Sequence, residues 1–216
     1  PKAPYNIIGL SQWACRMFQR YYHQTARLQE TIAIDVDVHR PGTWRGQRFL
    51  TLGRMAKEKG NLEAAILCKE ANVPLDICGA DSDADYKAEI LKLCDGKQII
   101  FRGEISDAQK IHLMQTCRAL IYVLDVPEVT SHKVQEAMLC GAPIIAGNIG
   151  ALPEILSQGI NGYLCQTGKE YLRAIKDVDK LNPKVKLGEL RQRYSLPNVV
   201  LNYLPLYEKV AGGLHW

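Results

Sequence analysis

The chain has 216 residues, 47% of them hydrophobic and 23% charged, with a formal net charge of +4. That length is ample for one large domain with a buried core, and the composition is that of an ordinary globular protein. No apolar stretch approaches the length of a membrane span, no signal pattern opens the chain, and no basic stripe interleaved with aromatics suggests nucleic acid.

The positive surplus lies in residues 1–48, which carry seven Lys/Arg against Glu30, Asp35 and Asp37; the remaining 20 basic and 20 acidic residues cancel. A surplus this small reads as a solvated face, or as a surface for an anionic partner. The first residue is Pro1, which reads as an excised fragment or a processed chain. Asn6 to Leu10 is a short apolar run with Ser11 as N-cap. Leu10, Trp13, Ala14, Met17, Phe18 and Tyr21 then recur at helical spacing. That stripe needs a cover: protein is the better fit, with a peripheral membrane surface or a second copy of the chain as alternatives. Thr31 to Val38 reads as an extended segment, ended by His39-Arg40-Pro41-Gly42.

From Phe49 short apolar strands alternate with amphipathic helices. Strands are predicted at Phe49–Met55, Pro74–Gly79, Gln98–Arg102, Ala119–Leu124, Ala142–Ala146 and Gly162–Cys165. Helices are predicted at Asn61–Ala71, Asp85–Cys94, Asp107–Cys117, within Ser131–Cys140 and over 169–182. This alternation predicts βαβ units and a doubly wound parallel sheet, an α/β fold with helices on both faces. Val199 to Val210 reads as a last helix, kinked or broken near Pro205. The seven cysteines include no C-x-x-C pair and mostly lie in apolar periodic segments. They read as small buried hydrophobes in a reducing, cytoplasmic compartment.

The stretch Asp125 to Ile145 organises the rest. An apolar strand breaks at Asp125-Val126-Pro127, Thr130 or Ser131 can cap a helix, Gly141 stops it and Pro143 opens the next strand. In an open parallel sheet, ligands bind outside the strands' carboxyl ends, where a helix N-terminus offers free N–H groups to an anion. Glu128 precedes the helix and Glu136 lies eight residues on. Two carboxylates flanking an anion site suit a nucleotide-sugar, with hydroxyls on both sides of its phosphates. The same two residues also fit a surface glutamate and a first-turn acid favoured by the helix dipole.

Glu128-x7-Glu136 followed by Ala137-Met138-x-x-Gly141-x-Pro143-Ile144-Ile145 resembles the donor-site signature of retaining glycosyltransferases of family 4, which have the GT-B fold. The resemblance runs from Ser11 to about Tyr207. It implies that Glu128 contacts hydroxyls of the transferred sugar and Glu136 those of the ribose. Gly53-Arg54-x4-Lys59-Gly60 resembles the family's diphosphate-contacting segment. Positive charge there would meet the leaving diphosphate, although a solvated basic turn fits the same residues. Phe101 to Ser106 resembles the loop beside the nucleotide base, which implies that Ile105 meets the base through its backbone. A turn leading into a helix cap fits that loop equally. Gly147 to Ile155 and Gln158 to Leu164 resemble two further turns of the family.

Where the family often has Phe-Gly after the first glutamate, this chain has Thr130, Ser131, His132 and Lys133. Ser131 and Lys133 could supply side-chain contacts to the diphosphate, and His132 a phosphate neighbour or a surface cap. The Asp81-x-Asp83-x-Asp85 strings read as helix-capping acids, so no metal and no cofactor are expected.

The resemblance thus implies a single Rossmann-like domain, the C-terminal, donor-binding half of a GT-B enzyme. Residues 1–48 would be an interdomain crossing segment, 49–182 the nucleotide-sugar-binding domain and 183–216 a helical tail. Its acceptor domain would lie elsewhere in the same or another chain, leaving this half inactive or weakly active alone. Alternatives are a non-catalytic nucleotide-sugar-binding subunit and a GT-B sugar-nucleotide epimerase or phosphorylase. A flavodoxin-like signalling domain fits the alternation, but not the Glu128 to Pro143 string.

Overall fold

The computed structural model describes residues 6–29 and 32–214. Its centre is a six-stranded parallel sheet built from β3 (Phe49–Leu52), β4 (Leu75–Cys78), β5 (Ile99–Gly103), β6 (Leu120–Tyr122), β7 (Ile144–Gly147) and β8 (Gly162–Cys165). The spatial order is β5-β4-β3-β6-β7-β8. The chain winds outward from β3 to β5, then returns to place β6 on β3's other side. A crevice therefore opens between the carboxyl ends of β3 and β6, the topological switch point where α/β sheets bind ligands.

Side-chain alternation sorts each strand onto two cores. Leu50, Leu52, Leu120, Tyr122, Ile144 and Ala146 face one side, against α5 (His132–Leu139) and α8 (Leu187–Tyr194). Phe49, Ile77, Ile121 and Ile145 face the other, against α2 (Asn61–Glu70), α3 (Ala84–Leu93) and α7 (Gly168–Asp177). Buried on both faces, the strands read as continuous apolar runs. The charged exception is Asp76 in β4, buried but paired with Arg48 Nε at 2.8 Å and Arg102 Nε at 3.1 Å.

Ahead of this sheet, β1 (Ile7–Gly9) and β2 (Ala26–Leu28) form a separate parallel pair, with α1 (Gln12–Tyr22) as the crossover. Ser11 caps α1, accepting from Ala14 N–H at 3.0 Å. The Glu154 carboxylate, on α6 (Leu152–Ile155), accepts from the N–H groups of Gln12 and Trp13, both at 2.7 Å, and ties this unit to the main sheet. Pro-Glu in that turn thus serves as an external cap for another helix. Of α1's residues only Ala14 is buried, and Tyr21 and Tyr22 stand exposed.

Three expectations need correction. The segment expected to be extended is irregular over 32–35 and turns over 36–38, because Asp35 Oδ1 accepts from the N–H groups of Asp37 and Val38; Thr31 lies outside the described residues. The last helix is α9 (Leu196–Ala211), continuous through Pro205 and begun three residues early by Pro197 in its first turn. The helix expected over 169–182 ends at Asp177, followed by a 3-10 turn at Val178–Lys180. Val200, Leu201, Leu204 and Tyr207 of α9 are exposed. All seven cysteines are free. No helix among the described residues is long and apolar enough to cross a membrane.

Candidate functional site

The loops after β3 and β6 meet at the switch point. After β3 the chain makes a 3-10 turn at Lys57–Lys59, closed by Gly60 at φ 63°. A Cβ on Gly60 would stand 1.4 Å from Val123 O, so only glycine lets this turn press against the β6 loop. The consequence is local: Lys59 Nζ reaches Glu128 Oε1 at 2.7 Å. The buried Tyr122, at the end of β6, donates its hydroxyl to the same oxygen at 2.7 Å. From the β7 side, Gly150 (φ 60°) brings its backbone under Glu128, and Ala151 N–H donates to Glu128 O at 3.0 Å.

The electrostatics follow from this packing. Burial alone would push the Glu128 carboxyl up. The hydrogen bonds from Lys59 and Tyr122, with the charges of Lys59 and Lys133, outweigh it and hold the group below the usual carboxylate range. Lys133, in the first turn of α5, lies with Nζ 4.7 Å from the Tyr122 ring centroid. Burial, together with the neighbouring cations Lys59 and Arg54, lowers its pKa to about 8 against the opposing pull of Glu128 and Glu136.

Helix α5 begins at Ser131 without a side-chain cap, and Ser131 Oγ is buried with no hydrogen-bond partner. The expected cap is absent, which leaves the first-turn N–H groups open to an external acceptor. Thr130 Oγ1 accepts from Gln135 Nε2 at 3.3 Å, and His132 is exposed. One turn on, Glu136 is held by Lys110, from α4 (Asp107–Thr116), at 3.2 Å, with His39 Nε2 at 3.8 Å. Burial pulls the Lys110 pKa down, but Glu136 and Asp107 more than reverse it.

Ile105 is half-buried between β5 and α4, where Ser106 forms a capping box with Gln109. With Arg102, Ala108, His112 and Leu113 it lines an apolar cleft of about 370 Å³. The Arg54 guanidinium is exposed and paired with Glu58 at 3.1 Å. Asp83 caps α3, accepting from Tyr86 N–H at 3.0 Å, and Asp81 pairs with Lys87. Among the described residues no group of three or more His, Cys, Asp or Glu side chains is arranged to hold a metal.

Lys59, Lys133 and Glu128 are therefore brought together, with Glu136 one turn along the same helix. Three partners of these residues were not singled out from sequence: Tyr122, Lys110 and His39. Only Tyr122 left a signal, since a phenol closing a buried strand needs an acceptor.

A stretch of 71 residues is 31% identical to N-acetyl-alpha-D-glucosaminyl L-malate synthase of Bacillus anthracis, covering 33% of this chain and 18% of that protein. A stretch of 83 residues is 36% identical to spore coat protein SA of Bacillus subtilis (strain 168), covering 34% of this chain and 22% of that protein. The matches thus span about a fifth of either relative's length. Among solved structures, AviGT4, a glycosyltransferase involved in avilamycin A biosynthesis, superposes with TM-score 0.81 at 18% identity, over all of this chain and 66% of its own. Anabaena HepE, solved in complex with UDP and glucose, superposes with TM-score 0.75 at 20% identity, over 95% of this chain and 62% of its own. These likenesses give the fold, a Rossmann-like half of GT-B architecture. Residues 45–195, which contain both loops of the switch point and all of α5, match the family described as Glycosyl transferases group 1, and the chain belongs to that family.

Proposed function

We propose that this chain is the donor half of a retaining glycosyltransferase, binding a nucleoside-diphosphate sugar whose glycosyl group passes to an acceptor held by a second α/β domain in the same or another chain. The carrying observation is the meeting of Lys59, Lys133 and Glu128 beside the uncapped N-terminus of α5, on the sheet's switch point. Two ammonium groups and open helix N–H groups suit a diphosphate, and the carboxylates of Glu128 and Glu136 suit hydroxyls on either side of it. HepE, which shares the fold, was solved with UDP and with UDP-glucose.

In this reading the acceptor hydroxyl forms a bond to the anomeric carbon on the face from which the diphosphate leaves. The bond from that carbon to the β-phosphate oxygen breaks, and the departing diphosphate takes the hydroxyl proton. Lys59, Lys133 and an Arg54 swung from Glu58 neutralise the charge that develops, which removes the need for a divalent ion. Ser131 Oγ, Thr130 and His132 border the phosphates, Glu128 orients the transferred sugar, Glu136 the ribose, and the Ile105 loop the base. The reaction is placed in the cytoplasm, with the exposed face of α1 toward the acceptor domain and a peripheral membrane or a second copy as competing covers.

A thermal-shift panel of UDP-, GDP- and ADP-sugars tests the reading, because a ligand that binds only the folded state raises its melting temperature. A rise with one nucleotide class is expected; no rise with any of them overturns it. Product analysis with an acceptor domain added separates transfer from epimerisation.

A further inference from the structure

His39 ends the turn that leads into the sheet domain, and it is buried. Its Nδ1 lies 2.9 Å from the carbonyl oxygen of Asp35. A carbonyl only accepts, so Nδ1 carries a proton there. The other ring nitrogen, Nε2, is buried and has no hydrogen-bond partner. Buried polar atoms are almost always satisfied, and an orphan at a site calls for an account. The nearest charged oxygen is Glu136 Oε1, 3.8 Å away.

We infer that His39 is a positioning residue for Glu136, holding that carboxylate from behind so that its remaining acceptor capacity is presented to the nucleoside part of the donor. The inference rests on the reading of Glu136 as the nucleoside-binding carboxylate. Lys110 grips Glu136 from α4, at 3.2 Å from Oε2 and 3.4 Å from Oε1. One cation on a flexible stem fixes a position poorly. The His39 ring is packed in place and anchored at Nδ1, so with a proton on both ring nitrogens Nε2 donates to Glu136, and a short shift of that side chain across the 3.8 Å gap completes the rigid second contact. Supporting groups of this kind fix ligand-contacting side chains to within about 0.5 Å. The placement also ties the segment after β2 to the nucleoside side of the crevice, because Arg191 of α8 holds the same segment through Val36 O and Asp37.

The test is a double-mutant cycle read by calorimetric binding of UDP, GDP and ADP to the whole 216-residue chain. Glu136→Ala is expected to weaken the preferred nucleoside diphosphate at least tenfold. His39→Leu is expected to weaken it about fivefold to tenfold, in line with the net contribution of one hydrogen bond that acts through Glu136. His39→Gln, which keeps an N–H donor at similar reach, should restore affinity to within about threefold of the parent. In the Glu136→Ala background, His39→Leu should cost nothing further, a coupling that a purely structural role would not produce. Circular dichroism and melting temperature of each variant separate misfolding from lost contact. If Glu136→Ala weakens binding and folded His39→Leu does not, the inference falls while the donor-site reading stands. If both weaken binding but the effects add fully, or if Gln does no better than Leu, His39 does not act through Glu136. If Glu136→Ala leaves binding intact, the nucleoside role of Glu136 falls and the inference with it.

Discussion

Lys59 and Glu128, 69 positions apart in sequence, meet at 2.7 Å across the switch point of the sheet. Each is the group the other must release if Lys59 is to face a diphosphate and Glu128 a sugar. The pair therefore competes with the ligand in the free protein. Glu128→Gln is expected to leave the affinity for free nucleoside diphosphate unchanged or up to about threefold tighter, since Lys59 loses an internal partner worth a fraction of a hydrogen bond to charge. The extra affinity contributed by the sugar should disappear in the same variant. Parallel titrations with nucleoside diphosphate and nucleotide-sugar check this; equal losses for both ligands contradict the division of roles.

Lys133 carries a second expectation. Burial and neighbouring cations lower its pKa to about 8, so its charged form is disfavoured by folding. Between that value and the unfolded lysine value near 10.4 the unfolded chain binds more protons. Its contribution to stability therefore improves as pH rises through that window and is least favourable below about 8. Lys133→Met should raise the melting temperature at pH 7 by a few degrees, while weakening diphosphate binding about tenfold. In the parent protein, diphosphate binding should weaken as pH climbs past about 8 and should take up protons. Calorimetry in buffers of different ionisation enthalpy measures that uptake.

Asp76 gives a purely structural prediction. It is buried in β4 and satisfied by Arg48 and Arg102, and Arg48 also donates to the carbonyls of Leu75, Lys97 and Gln98. Removing the buried carboxylate takes a charged acceptor from two arginines that are 29% and 40% exposed, and Arg48 keeps its three carbonyls, so the cost is that of the lost charge-assisted hydrogen bonds, about 2 kcal/mol. Asp76→Ala should lower urea-unfolding stability by that order, whereas the exposed pair Arg40–Asp37 should cost under about 1 kcal/mol when broken.

Metal independence is the next expectation. Asp83 is occupied as the α3 cap and Asp81 by Lys87, so chelation by EDTA should leave donor binding intact. Asp83→Ala should cost about 1 kcal/mol of stability through the lost cap and nothing in affinity. Loss of binding in EDTA, restored by Mn²⁺ or Mg²⁺ and abolished in Asp83→Ala, would instead make Asp83 a metal ligand.

Much of this molecule was legible in its sequence because parallel strands buried on both faces are short apolar runs, and the Gly and Pro punctuation sets their ends. Strand β2 was not legible, since Ala26-Arg27-Leu28 is too short and mixed to carry a period. Helix α8 was expected only as part of a helical tail over 183–216, and its bounds were hidden because Gly188 and four charged or amide side chains dilute a stripe reduced to Leu190 and Tyr194. The turn at 36–38 was hidden by the alternation of Ile34, Val36 and Val38, which an Asp35 side-chain bond overrides. At the site, the helix and its two glutamates stood out by the whole string from Glu128 to Ile145, because the spacing alone fits any capped surface helix. Tyr122, Lys110 and His39 come from a strand, a helix and a linker far apart in the chain, and only tertiary packing brings them to the carboxylates.

The last expectation concerns what the donor crevice needs. Among the described residues, strands β1 and β2 form a two-stranded parallel pair. Beside them α1 exposes Tyr21 and Tyr22, and α9 exposes Leu201, Leu204 and Tyr207. Large apolar side chains exposed together on a helix suit a contact site. On the proposed reading, a glycosyl acceptor is held across the crevice at β3 and β6 by a second domain. The purified 216-residue chain should therefore bind nucleotide-sugar weakly and release sugar to water at a trace rate, with no transfer to an added acceptor. Supplying a separately produced acceptor domain should restore transfer, and Leu201→Ser with Tyr207→Ser should reduce that restoration without changing donor affinity. Robust transfer by the chain alone overturns the proposal and means that residues 1–48 or a second copy complete the acceptor side. Size-exclusion chromatography with light scattering, run on the same active preparation, separates those two.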